Sequence, residues 1–261
     1  MKSNTIPVNT LSISNKSFAA ELIMTPLSEL TYWEVGTAKD NYLTENGELK
    51  YDVIPVFDKG RIIILITQRG YQTINQEWFI TSDTPIPDLV NLFIDKKKPA
   101  FLVVQYNDII GLVTPADLNK LCSRVYIYSL IGSVELMLTR LIHNVITLPD
   151  FNILELLSTE RSNEILTLVN KLQSQNVDID LVQLLYLSDL LTIVEKTPVL
   201  RKKLGFLSRK TTEKELSGIN DLRNKTMHLV QPILSKMPDD LKTLHKRLKR
   251  IQTLLLKGED Q

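Results

Sequence analysis

The chain has 261 residues, 43% apolar and 23% charged, and its formal net charge of +1 argues neither for nor against a nucleic-acid partner. Its single cysteine, Cys122, excludes an internal disulfide and a cysteine-based zinc site. No run of about 18 apolar residues occurs, and Met1 to Lys16 is polar without an apolar signal core. The expectation is a cytoplasmic protein with no membrane span.

Residues 1–17 read as a polar N-terminal tail. Residues 1–120 carry 11 basic and 14 acidic side chains, whereas residues 121–261 carry 20 and 16. Composition shifts at the same place, from short Val-, Ile- and Thr-rich runs to leucine at helical spacing. A domain boundary is therefore expected at 118–124, dividing 18–120 from 121–261.

The first half contains an internal repeat, offset by 47 residues. Val56-Phe57 recurs as Val103-Val104, Ile62-Ile63 as Ile109-Ile110, and Leu65-Ile66-Thr67 as Leu112-Val113-Thr114. Each copy reads as strand, helix, strand, turn, strand. In the second, Phe79–Thr81 is a short strand and Thr84-Pro85 opens a helix buried through Leu89, Val90, Leu92 and Phe93. Phe101–Gln105 and Ile109–Thr114 flank a turn at Asn107-Asp108. The first copy turns at Asp58-Lys59-Gly60.

The second half reads as helices. Leu, Val and Met at helical spacing predict one from Cys122 to about Leu148, closed by Pro149. Others follow over Phe151–Gln175, from Asp180 as N-cap to Lys196, over Thr211–Leu234 ending near Pro232, and over Pro238–Lys257. A short helical turn is expected at Pro198–Gly205. Short loops between long helices predict antiparallel neighbours, hence a four- to five-helix bundle.

The repeat resembles the paired cystathionine-β-synthase (CBS) domain, or Bateman module. Ile23-Met24-Thr25-Pro26 is similar to its lead-in. Gly111-Leu112-Val113-Thr114-Pro115-Ala116-Asp117 fits the family's Gly-x-x-Thr/Ser-x-x-Asp ending of the third strand. The resemblance covers about residues 18–122 and implies an adenine nucleotide, AMP, ADP or ATP, as regulatory ligand. Asp117 would accept hydrogen bonds from the ribose hydroxyls, and Thr114 would hold phosphate at the helix N-terminus. The first copy keeps Thr67 but has Ile64 for the glycine and Gly70 for the aspartate, so one good site is expected. The same two residues could simply N-cap the next helix.

Leu222-Arg223-Asn224-Lys225-Thr226-Met227-His228 is similar to the motif of the HEPN (higher eukaryotes and prokaryotes nucleotide-binding) domain, on a late helix of such a bundle. Asn224 and His228, four apart, would share a helix face about 40° apart, so Asn224 can orient the imidazole. Arg223 would lie about 140° from His228. Either its long side chain wraps round, or two copies of the helix face one another in a homodimer. The resemblance implies endoribonuclease chemistry with no metal or catalytic cofactor. His228 would be the acid/base, Arg223 the phosphate clamp and Asn224 the orienter, leaving a 2′,3′-cyclic phosphate.

Two basic runs fit an RNA partner: Lys196, Arg201, Lys202, Lys203, Arg209 and Lys210, then Lys242, Lys246, Arg247, Lys249, Arg250 and Lys257. His143 reads as a core or interface group, and Asp178-Ile179-Asp180 as a helix start. The expected architecture is an α+β module of paired repeats followed by an all-α bundle: a nucleotide-regulated ribonuclease in a defence or toxin setting. The alternative is a non-catalytic sensor or scaffold whose bundle only dimerises or recruits a partner.

Overall fold

The computed structural model describes residues 18–37, 42–146 and 151–259. The expected tail 1–17 and the helix-closing Pro149 lie outside them. The described chain packs as two units, 18–126 with Leu229–His245, and Ile127–His228 with 246–259.

The first unit is built on two four-stranded sheets. Strands β2 (Trp33–Glu34), β3 (Val53–Asp58), β4 (Arg61–Thr67) and β5 (Gly70–Thr73) form one. In the other, β1 (Thr25–Pro26) joins β8 (Asp108–Val113), β7 (Phe101–Gln105) and β6 (Phe79–Thr81). The repeat holds to the residue. Trp33 and Glu34 run parallel beside Val56 and Phe57, as Ile80 and Thr81 do beside Val103 and Val104. A bulge between Val56 and Phe57 recurs between Val103 and Val104.

The outer strands are exchanged. β5, which leads into the second copy, pairs with β4, whereas β1, which leads into the first copy, pairs with β8. This pairing explains Gly111. A Cβ there would stand 2.7 Å from both the Met24 sulfur and the Thr25 carbonyl oxygen. Equivalent positions of both copies, Val53 with Ala100 and Leu65 with Leu112, share one buried cluster with Trp78 and Leu102.

The copies differ between their first two strands. The second copy forms helix α1 (Ile86–Lys96), with Ile86, Leu89, Val90 and Phe93 buried; Leu92 is only half-buried. The first copy does not form the expected helix among its described residues. Gly47 is left-handed at φ 80°, and Thr44 turns the chain by bonding to Gly47 and Glu48. The resulting loop buries Tyr42 against Ile54, Val56 and Ile66.

The second unit is helical. α2 (Leu121–Ile146) starts in the first unit and continues in the second. Its 26 residues and peak mean hydropathy of 1.4 would suit a membrane span by length and composition. However, it carries Arg124, Glu135 and Arg140, and Ile127, Ile131, Val134, Leu138 and Ile142 along it are buried. Then come α3 (Thr159–Ser174), α4 (Leu187–Lys196), α5 (Pro198–Lys203), α6 (Arg209–Leu216), α7 (Ile219–Met227) and α8 (Asp239–Glu259). These seven helices correct the expected four or five.

Much of the difference lies in Thr211–Leu234. That stretch breaks at Gly218, which is left-handed at φ 79° and lies under Arg247 of α8. It ends at Met227, and Pro232, which has no N–H for the His228 carbonyl, bars a helix running through to Leu234. Elsewhere the unit is tied by polar side-chain contacts. Arg161 on α3 bonds Asp189 on α4 at 2.9 Å, and His143 meets Asp180 at 2.6 Å.

Candidate functional site

Two places carry chemistry. The first is the end of β8. Thr114 is extended and Pro115 starts a short 3-10 turn over Pro115–Asn119, so the backbone reverses over Thr114. The buried Asp117 reaches back. Its Oδ2 accepts from the Thr114 N–H at 2.7 Å and from the Thr114 hydroxyl at 2.9 Å, while the Asp117 N–H donates to the Thr114 carbonyl at 3.1 Å. Its Oδ1 faces the Lys120 ammonium at 2.8 Å. Lys120 also donates to the carbonyls of Ile23 at 2.6 Å and Met24 at 3.1 Å.

Thr114 and Asp117 are therefore brought together, as a capping pair whose carboxylate is occupied on both oxygens. The Thr114 hydroxyl gives its only proton to Asp117, so it must turn to donate to a phosphate. A ribose diol must share the carboxylate with Lys120. In the first copy, Thr67 instead closes a hairpin, its hydroxyl donating to the Gly70 carbonyl at 3.1 Å. No carboxylate stands there.

Sequence reasoning passed over Asn119, Lys120 and Arg124. Arg124 had a readable signal: it lies on the seam that continues through Ile127, Ile131, Val134 and Leu138. It is 4% exposed, and burial lowers its pKa from the usual arginine value.

The second place is the end of α7. Arg223 is half-buried, and its Nε is sealed from solvent without a hydrogen bond. Its Nη1 lies 3.4 Å from Asn224 Oδ1, so the guanidinium turns toward the Asn224 side of the helix. Asn224 and His228 are exposed. His228 is the C-cap at φ −87° and ψ 86°, which corrects its expected place inside the helix. Its N–H still bonds the Asn224 carbonyl at 3.1 Å, so the two remain one turn apart. On α2, Arg140 likewise has Nε and Nη2 sealed without a hydrogen bond.

The basic runs are partly committed to the bundle. Arg209 pairs with Glu195 at 2.8 Å, Arg250 with Glu215 at 3.3 Å and Arg247 with Asp221 at 3.7 Å. Lys257 lies over the Phe206 ring. Lys210, Lys246 and Lys249 are exposed and make no ion pair among the described residues. Among those residues, no group of three or more His, Cys, Asp or Glu side chains is placed to hold a metal ion.

No protein-family model matches the chain, and no curated protein is similar to it. Solved structures match part of the chain. One is a CBS-domain pair with bound AMP from Klebsiella pneumoniae, 20% identical, covering 38% of this chain and 94% of that one, with a TM-score of 0.32. A second is the CBS domain of the bacterial CNNM/CorC family Mg2+ transporter in complex with ATP, 19% identical, covering 41% and 87%, TM-score 0.33. A third is CBSX2 in complex with AMP, 17% identical, covering 39% and 92%, TM-score 0.32.

Proposed function

We propose that this protein is a cytoplasmic, adenine-nucleotide-responsive endoribonuclease. Its sensor is the paired-repeat module, and its cutting site is the Arg223-Asn224-His228 end of α7. The observation that carries the reading is the Arg223 guanidinium. A buried donor of a charged group normally has an acceptor, and one without it marks a place where an anion is expected. The Nη1 is held only loosely, 3.4 Å from Asn224 Oδ1, and this end of the guanidinium is the part left to meet a phosphate.

The chemistry then assigns itself by group. The RNA 2′-hydroxyl gives up its proton and bonds to phosphorus, and the 5′-oxygen leaves with a proton. The bond made and the bond broken leave a 2′,3′-cyclic phosphate and a 5′-hydroxyl. An exposed imidazole suits one of those proton transfers near neutral pH. Arg223 meets the charge growing on the phosphoryl oxygens. Lys210, Lys246 and Lys249 add affinity for the backbone, and a homodimer places two such sites in one particle.

The test is cleavage of a fluorogenic single-stranded RNA by the full-length protein, alone and with AMP, ADP or ATP. Activity with cyclic-phosphate ends is expected. His228→Ala should lower it about 10²–10⁴-fold, and Arg223→Ala comparably. Lys249→Ala should weaken binding and reduce the salt slope by about one. Intact RNA under every condition, with His228→Ala indistinguishable from wild type, leaves the sensor or scaffold reading in its place.

A further inference from the structure

Residues 117–124 grip two parts of the chain at once. Toward the N-terminus, Lys120 joins the Asp117 carboxylate to the Ile23 and Met24 carbonyls. Toward the C-terminus, the same turn holds a segment more than a hundred residues away. The Asn119 amide pairs with the backbone of Leu234 as a neighbouring strand would. Its Nδ2 donates to the Leu234 carbonyl at 3.1 Å, and its Oδ1 accepts from the Leu234 N–H at 2.9 Å. Arg124 donates Nε to the Asn119 carbonyl at 2.9 Å and Nη2 to the Gln231 carbonyl. Eleven residues beyond Leu234, His245 of α8 meets Asn91 of α1 at 2.9 Å. The segment gripped in this way begins just after the motif, for Gln231 follows His228 by three residues.

We propose that this grip is a relay. The Asp117–Lys120 lock sets Asn119 and Arg124, and they set the backbone that carries His228. Asn119 and Arg124 are then positioning residues for the cutting site, a role that rests on the ribonuclease reading. The geometric link stands apart from it. A nucleotide would act on the relay at its first member. A ribose diol donates to the carboxylate whose Oδ1 faces Lys120, and a phosphate attracts the same ammonium. Lys120 directly follows Asn119, the last residue of the turn, so its release loosens both the side-chain and the carbonyl contacts of Asn119. Only one copy is wired in this way, because Gly70, Gln72 and Thr73 stand in the first copy where Asp117, Asn119 and Lys120 stand in the second.

Amide hydrogen exchange of the full-length protein tests the relay without RNA or nucleotide. Lys120→Gln changes a half-exposed side chain and removes the lock. Exchange over 228–236 should rise about tenfold, with α3 unchanged. Asn119→Ala should do the same, because it removes the acceptor of the Leu234 N–H, whereas Lys59→Gln on an exposed turn should do nothing. Unchanged exchange over 228–236 in Lys120→Gln overturns the relay, and so does a uniform rise along the whole chain. Saturating AMP should shift the same amides in wild type; AMP that binds by calorimetry without moving them also overturns it. In the cleavage assay, Asn119→Ala should bring the ratio of rates with and without AMP to about one, a change that a purely structural role would not make. Wild-type protein that cuts no RNA sinks the ribonuclease reading, and Lys120→Gln exchange still decides the relay.

Discussion

Asp117 and Thr114 are bonded to one another three times over, through two donors on Thr114 into one carboxylate oxygen and through the Asp117 N–H in return. The arrangement is a reciprocal cap, and it makes the nucleotide assignment and the local stability inseparable.

Asp117→Ala removes the cap and leaves Lys120 facing the Ile23 and Met24 carbonyls and the Thr25 hydroxyl, with no counter-charge. Urea unfolding should show a loss of about 1–3 kcal/mol. Thr114→Val keeps the backbone bond and should cost about 1 kcal/mol. Calorimetry should show no AMP binding to Asp117→Ala. Binding as tight as wild type would remove Asp117 from the ribose.

Two glycines should respond with opposite signs. In Gly111→Ala the new methyl meets the Thr25 carbonyl, and that oxygen moves only if β1 leaves β8. A loss of about 1–3 kcal/mol is expected. Gly132→Ala, inside α2 with nothing within 4 Å of a Cβ, should gain about 0.5–1 kcal/mol. Thermal unfolding of both variants checks the pair; equal effects would be inconsistent with the exchanged strand.

Arg223→Met separates a site from a scaffold. If Arg223 braced a helix interface, its removal would destabilise the bundle. A guanidinium with a sealed, unbonded Nε has little to lose, so Tm should hold or rise by a few degrees while cleavage collapses. A clear fall in Tm would point to the brace.

Arg161 is the opposite case. Burial disfavours its charge, but hydrogen bonds with Asp189 and Glu164 outweigh that and raise its pKa above the usual arginine value. It also donates to the Leu184 carbonyl at 2.9 Å and lies 4.0 Å over the Tyr186 ring. Arg161→Ala leaves Asp189 buried without its counter-charge and should cost about 3 kcal/mol in denaturant unfolding. A cost near zero would mean that water replaces it.

The repeat was readable because strand pairing fixes spacing: a one-residue slip would turn every side chain to the wrong face. The first-copy helix was misread for the same reason, since the offset carried the second copy's helix onto a segment whose Asn46-Gly47 favours a turn. The end of α7 was misread although Pro232 was in plain view. Arg223, Asn224 and His228 could be named from the sequence, but the direction of the Arg223 side chain could not. Asn119 meeting Leu234 left no local trace, because polar side chains that pair with distant backbone have no periodicity to betray them.

The exchanged strands also set an order of assembly on a growing chain. The sheet of β2 to β5 has all its members once Thr73 is made, so the later-starting sheet of the pair closes first. β1 is synthesised before any of them, yet its partners Gly111 and Leu112 come last. Thr25 and Pro26 must wait unpaired while nearly the whole module is translated around them. A nascent chain halted once Thr73 has cleared the ribosome would therefore hold one finished sheet and one orphan strand, a species for chaperones to shelter.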